Sequence, residues 1–523
     1  MRGAVAGGHP LTAEVGARIL EEGGNAADAC IAAGFASWVV ESSLTGPAAG
    51  GFMLVHRARD HSSRLLDFFV TVPGLGRESE PLPEMETVHV DFEGGESTQV
   101  FRVGAASCAV PGAIAGLEAA HRSYGSLPWR RLLQPAIELA RDGVELTRQQ
   151  AYLHAILDLI LRREDEGRRI YGRGGERLAA GDRLRQPDLA GTLELLAERG
   201  GGEFYHGELA RSIVDFVLGR GGVLGANDLD AYRVVWRRPI RTAFLGHEFV
   251  SNPPPSSGGV LIAYGLRLLD GLGANGSPGS AEAIARLVEV MREQQRARGR
   301  RFAAELYRGG LARRLCSDEI VGDGLRRIAD RAPAPLRELA APGGTTHISV
   351  VDARGNAASL TASLGSGSGA IVPGTGIHLN NMLGEYDLAP TAGPPRAGRR
   401  LTSMMAPSVV LGEGRPRLIV GSAGSVRLRS AIMQLVVNVV QHGMPVDEAI
   451  ERPRVHLDEP HVHCEGGADA AELDRLESWG YDLVRWRRRN LYFGGAAAVE
   501  LRRDGTLAAA GDPRRGGHGV TVT

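Results

Sequence analysis

The residues best suited to chemistry lie together in Gly343-Gly344-Thr345-Thr346-His347-Ile348-Ser349-Val350-Val351-Asp352. Two glycines run directly into a hydroxyl residue that opens a strand-like segment. Glycine allows strained backbone angles and leaves a scissile carbonyl unhindered. A threonine hydroxyl can attack that carbonyl, and the break frees the α-amine of the same residue. Such an amine has a pKa of ~7.7–8.0, so part of it is neutral at pH 7 and can take the proton from the hydroxyl. One residue then serves as nucleophile and base. Read alone, a Thr-Thr pair at a strand start reflects β-propensity; the preceding Gly-Gly is what adds the chemical reading.

Other clusters carry less. Gly365-Ser366-Gly367-Ser368-Gly369 resembles a phosphate cradle but lacks the GxxxxGK[ST] pattern. His461-Val462-His463-Cys464-Glu465 offers metal-ligand side chains without a second group at matching spacing, so it reads as a strand and no metal is implied. His347 reads as structural, Asp352 as a turn residue, and Asn25 with Asp28 as the cap of a buried helix. The four cysteines are scattered, which argues against a disulfide framework or a zinc site.

The elements that must position this chemistry alternate between helix and strand. Residues 9–40 read as two helices broken at Gly23-Gly24, and Gly46 to Gly51 as a tight turn into a strand. Residues 127–230 read as mostly amphipathic helix. Pro253-Pro254-Pro255 forms a rigid loop before another helix. Residues 329–344 read as an exposed flexible segment, and 345–365 as two strands around a turn at 352–356. Helix resumes near Arg427–His442. The pattern predicts a mixed α/β protein whose sheets are covered by helices.

Composition narrows the function class. The 523 residues allow roughly two to four domains. Net charge is −1, from 60 basic and 61 acidic residues, which argues against a general nucleic-acid or membrane-surface binder. All the basic residues are arginine, a genome-composition bias that points to no site. No apolar run approaches a membrane span, and the start has no leader of signal-peptide type, so a cytoplasmic location is the expectation.

Taken together, the motifs resemble the γ-glutamyltransferase family of N-terminal nucleophile hydrolases. The resemblance runs nearly end to end: His9-Pro10-Leu11, Gly23 to Ala29, Gly50-Gly51-Phe52-Met53, Val110-Pro111-Gly112, Tyr124-Gly125, Gln134-Pro135-Ala136, Pro253 to Gly259, Thr345-Thr346-His347, Leu379 to Met382, Ser403 to Pro407, Gly421 to Ser425 and Asp512-Pro513-Arg514. It implies a four-layer αββα sandwich and a maturation cut between Gly344 and Thr345. The products would be a large chain, 1–344, and a small catalytic chain, 345–523, held together as a heterodimer in one composite domain. Thr345 would be the nucleophile, supported by the hydroxyl of Ser363. Backbone N–H groups of Gly424 and Ser425 would form the oxyanion hole. Thr402, Ser403 and Glu385 would bind substrate, a γ-glutamyl compound such as glutathione, with water or an amine as acyl acceptor. No cofactor is implied.

The chain also departs from that family's pocket. The arginine for the substrate carboxylate should follow the early strand, where Phe68 and Phe69 stand. The family's asparagine falls on Gly365 or Ser366, its glutamine on Met382 and its aspartate on Glu385, and Arg399 and Arg400 are the candidate substitutes for the arginine. The loop from Leu388 to Arg400 is short, which predicts an open cleft. Three readings follow. The first is a γ-glutamyltransferase or glutathione hydrolase. The second is the same machinery acting as an acylase on a different acyl group. The third is a non-catalytic relative.

Overall fold

A computed structural model describes the chain except for Met1 and residues 79–81, 93–96, 274–275, 300, 331–343 and 386–395. The expectations for the 329–344 segment and the 388–400 loop therefore fall mostly outside the described residues. The rest forms the αββα sandwich. One sheet has seven strands in the order Val235–Arg237, Ser62–Phe68, Gly50–Arg57, Ala357–Gly365, Gly344–Asp352, Gly3–Gly7 and His518–Val522. The other has six, in the order Ile240–Phe244, His247–Ser251, Ser408–Gly412, Arg415–Ala423, Gly495–Leu501 and Leu507–Gly511. The described strands of both sheets pair antiparallel.

Three apolar clusters fill the spaces between the layers. Phe52, Phe69, Leu65, Val409 and Ile419 meet between the sheets. A helical layer led by Ala26–Val40 covers the seven-stranded sheet, and one led by Gly258–Leu272 and Leu428–Val436 covers the other. The Ala26–Val40 helix is buried on every side, which its run of alanines and β-branched residues permits. It starts as expected. The Asn25 side chain accepts from Ala27 N and Asp28 N, and Asp28 accepts from Asn25 N at 3.0 Å. Asp352 is the turn residue that was read: its carboxylate accepts from Arg354 N and Asn356 N. It also accepts from Ala26 N at 3.0 Å, so the turn after the Thr345 strand helps to cap that buried helix.

Residues 127–230 are mostly helical, as read, but in separate helices with breaks between them. Between Trp129–Asp142 and Pro187–Arg199 lie three shorter helices and two-residue strand pairs. Left-handed glycines 174, 175 and 181 turn the chain there, and a helix cannot absorb them. The helix expected from Arg427 begins as a tight turn at Ser425–Arg427, runs as α-helix over Leu428–Val436, and ends in a wider π-type turn at Val437–Gln441.

His347 shows how closely the sheets approach. Its ring lies between them, with Nδ1 at 2.8 Å from Thr361 Oγ1 and Nε2 at 3.0 Å from Ser349 Oγ. A Cβ on Gly421 of the facing sheet would come within 2.2 Å of that ring. Gly421→Ala is therefore expected to cost about 2–3 kcal/mol of stability, read as a lower denaturation midpoint. Burial pushes His347 down to about 3 and His378 to about 4, so both stay neutral in the fold. In the unfolded chain they take up protons below about 6.5. Stability should then fall as the pH drops from about 6.5 toward 4, by up to about 1.4 kcal/mol per pH unit for each ring, measurable by chemical denaturation across that range.

Candidate active site

Gly344 and Thr345 open a central strand of the seven-stranded sheet, and the ladder is irregular at that point. Gly344 faces Gly365 and Thr346 faces Ala362, so Ser363 and Leu364 together oppose Thr345. This is a β-bulge. Leu364 turns away, donating its N–H to Leu44 O and accepting from Asn381 N. Ser363 remains at the irregularity. Its hydroxyl donates to the carbonyl of Gly344 and accepts from Gly365 N at 2.8 Å. Ser363 thus sits on the carbonyl preceding Thr345. That is a different contact from the expected support of the threonine hydroxyl itself.

Thr345, Ser363, Gly365, Glu385, Ser403 and Ser425 line one small cleft with Phe69, Met382, Met404, Met405 and Leu428. Its free volume is about 30 Å³ with the Gly344–Thr345 bond whole, room for a water or two. Ser403 is fixed from several directions. Its hydroxyl accepts from Met405 N, and its carbonyl accepts from Ser257 N at 2.7 Å and from the Ser256 and Ser257 hydroxyls. The proline-rich loop before that helix therefore holds the cleft wall in place. Thr402 is buried beside Ser403 but is not among the lining residues. Gly424 and Ser425 both adopt positive φ, 120° and 53°. For serine that conformation costs ~1–2 kcal/mol, strain of the kind found at functional turns.

The place read as a lost asparagine is filled from elsewhere. Gly365 has φ 73°, and a Cβ there would lie 2.1 Å from Asn381 Oδ1. That oxygen accepts from Ser366 N at 2.8 Å. Glu385 is buried in the same corner, and the Ser366 hydroxyl donates to it at 3.3 Å. Strand alternation separates the two phenylalanines: Phe68 enters the core under the helices, and Phe69 walls the cleft.

Neither candidate arginine lines the cleft. Arg400 donates to the carbonyl of Phe69 and, at 2.7 Å, to the hydroxyl of Tyr232, and lies 3.4 Å from the buried carboxylate of Asp67. Arg399 stacks on the Tyr307 ring at 3.5 Å. Arg400 thus braces the cleft wall from behind.

A second, smaller cavity lies on the other side of Thr345, lined by Gly8, Glu41, Thr346, His347, Asp512 and Arg515 among others. The sequence reading missed Glu41 and Arg515. Glu41 stands just after an unbroken apolar helix, where a buried acid is an anomaly, and that was the available signal. Asp512, Arg454, Arg514 and Glu465 form a buried ionic cluster that holds the turn carrying Arg515. Arg515 Nη1 donates to the carbonyl of Thr345 at 3.3 Å. The 461–465 segment is an ordinary strand followed by Glu465 of that cluster, and no group of metal-ligating side chains occurs among the described residues.

The family model for gamma-glutamyltranspeptidase matches residues 12–522. The chain belongs to that family. It is 34% identical to the Acylase ACY 1 proenzyme of Pseudomonas sp. (strain SE83), over all of this chain and 94% of that protein. It is 30% identical to the glutathione hydrolase proenzyme of Escherichia coli (strain K12), over 98% of this chain and 90% of that one. The crystal structure of cephalosporin acylase from Bacillus halodurans superposes with a TM-score of 0.86 at 24% identity, covering 99% of this chain and 95% of the other, and so shares the fold. Ser363→Ala removes a donor from the carbonyl that precedes Thr345, and the cut proposed below at that bond is expected to slow by about 10²-fold. Mass spectrometry of the two fragments over time checks this.

Proposed function

We propose that this chain cuts itself between Gly344 and Thr345 and then acts as a threonine-nucleophile amidohydrolase or acyltransferase on an amide with an apolar acyl group. The observation that carries this is the bulge at Thr345, with the Ser363 hydroxyl already bonded to the carbonyl to be attacked. In the cut, Thr345 Oγ1 bonds to the Gly344 carbonyl carbon. The C–N bond breaks, and the nitrogen takes the hydroxyl proton. Water then hydrolyses the ester, leaving Thr345 with a free amine. In catalysis, that amine takes the Oγ1 proton as the hydroxyl attacks the substrate amide, and passes it to the leaving nitrogen. Water or an amine then resolves the acyl-enzyme. Backbone N–H groups of Gly424 and Ser425 would stabilise the oxyanion. The two fragments, 1–344 and 345–523, would remain a heterodimer.

The lining supports the acyl choice. Phe69, Met382, Met404, Met405 and Leu428 dominate the cleft, and Arg400 is committed to Asp67 and the Phe69 carbonyl. A substrate carboxylate there would lack the bidentate guanidinium partner that such groups favour. A relative named as an acylase agrees with this reading. The second reading is a γ-glutamyl acyl group, as in glutathione. It is favoured by Glu385, a buried acid positioned for an α-amine, and by Thr402 and Ser403 nearby for a carboxylate. A relative named as a glutathione hydrolase agrees with that one.

Two measurements separate the outcomes. The small fragment should begin at Thr345, and Thr345→Ala should remain one 523-residue chain. A wild-type chain that stays whole rejects the mechanism. On the cut enzyme, a panel of acyl anilides should give higher kcat/KM for apolar acyl groups than for γ-glutamyl. The reverse order selects the second reading.

A further inference from the structure

Thr345 alone, among the described residues, lines both the cleft and the cavity behind it. The back cavity is about 10 Å³, close to the space of one small polar group. Glu41 is the buried acid on its wall. Thr12 Oγ1 donates to one carboxyl oxygen at 2.8 Å and Thr346 Oγ1 donates to the other. The backbone of Gly8 passes so close that a Cβ there would lie 2.2 Å from Glu41 Oε2. The acid also follows the C-terminus of the Ala26–Val40 helix, the negative end of that dipole. Burial and the helix end thus both disfavour its charge, and it is closely held in spite of them.

Resting on the proposed cut, we infer that Glu41 is a positioning residue: its carboxyl group receives the newly freed α-amine of Thr345 and, opposed by Arg515, sets the pH at which that amine becomes a base. A carboxylate has about four lone-pair sites, and the two threonines occupy one on each oxygen. The remaining sites suit an amine that has just gained hydrogens. The hydroxyl of Thr346 ties the adjacent residue to the same carboxyl, which limits how far the new terminus can stray.

The charges facing this point come from several elements. Glu41 follows the first buried helix. Arg515 reaches in from the turn before the last strand. Asp512 is engaged by Arg454 and Arg514, and His347 stays neutral. Burial and, after it, the charge of Arg427 lower Arg515 to about 10, so it is still a cation near neutral pH. Burial raises Glu41 above the usual carboxylate range in the uncut chain, and an arriving ammonium favours its ionised form. Glu41 therefore holds the amine's pKa up, and Arg515 holds it down.

The test measures the amine directly and needs no substrate. Cut protein is trace-labelled with acetic anhydride across pH 5–10, and α-acetyl-Thr345 on the small fragment is quantified by mass spectrometry. Glu41→Gln is expected to move the midpoint down by about one pH unit. Arg515→Gln should move it up, and Glu41→Asp should stay near wild type. Coincident Glu41→Gln and wild-type curves overturn the inference, as does an Asp variant displaced as far as the Gln variant. A Gln variant that stays whole while the Asp variant cuts places the carboxyl group at the cutting step, before any amine exists, and overturns the inference. If both stay whole yet melt like wild type, it fails. An uncut wild-type chain rejects the cleavage reading itself, a result distinct from all of these.

Discussion

The hydrogen bond from Ser363 to the Gly344 carbonyl joins two central strands where their ladder is interrupted. A regular ladder would pair the backbone of Thr345 with its neighbour. The bulge instead sets Ser363 and Leu364 against one residue, sends Leu364 to other partners and leaves a side-chain hydroxyl on the carbonyl. Much of the site is arranged around that irregularity. Gly365 must be glycine because Asn381 fills the space of its Cβ, and Asn381 in turn accepts from Ser366. The cleft and the back cavity then meet at Thr345 from opposite sides.

The cleft wall is set by a different force. Asp67 is fully buried and shared by Arg237 and Arg400. A buried carboxylate needs such partners, and removing one would leave an uncompensated charge. Arg400 is therefore retained behind the wall, where it also holds the Phe69 carbonyl. Phe69 presents its ring to the space beside Thr345 and stacks on Phe52 at 5.4 Å. Charge satisfaction beneath the sheet thus shapes the apolar character of the acyl-side surface above it.

Much of this was legible in the sequence because it is local. The Gly-Gly-Thr junction, the Asn25–Asp28 cap and the turn at Asp352 each depend on neighbours within a few residues. The mostly helical character of 127–230 was legible from periodicity, but not the breaks at its left-handed glycines, where turn geometry prevails. Glu41 and Arg515 are separated by most of the chain and meet only through the sheet order, so no spacing rule could pair them. Asn381 is a similar case: it fills the space at Gly365 from sixteen positions away.

The strand order has one more consequence. The Gly3–Gly7 strand lies between Gly344–Asp352 and His518–Val522, while Gly50–Arg57 pairs with Ala357–Gly365 on the far side. In the second sheet His247–Ser251 pairs with Ser408–Gly412. Segments on either side of the Gly344–Thr345 bond are interleaved like the fingers of clasped hands. Severing that bond would create two new chain ends but break none of these pairings, so the halves could part only by melting both sheets. Association would then be indifferent to dilution, and complete folding would have to come before the cut.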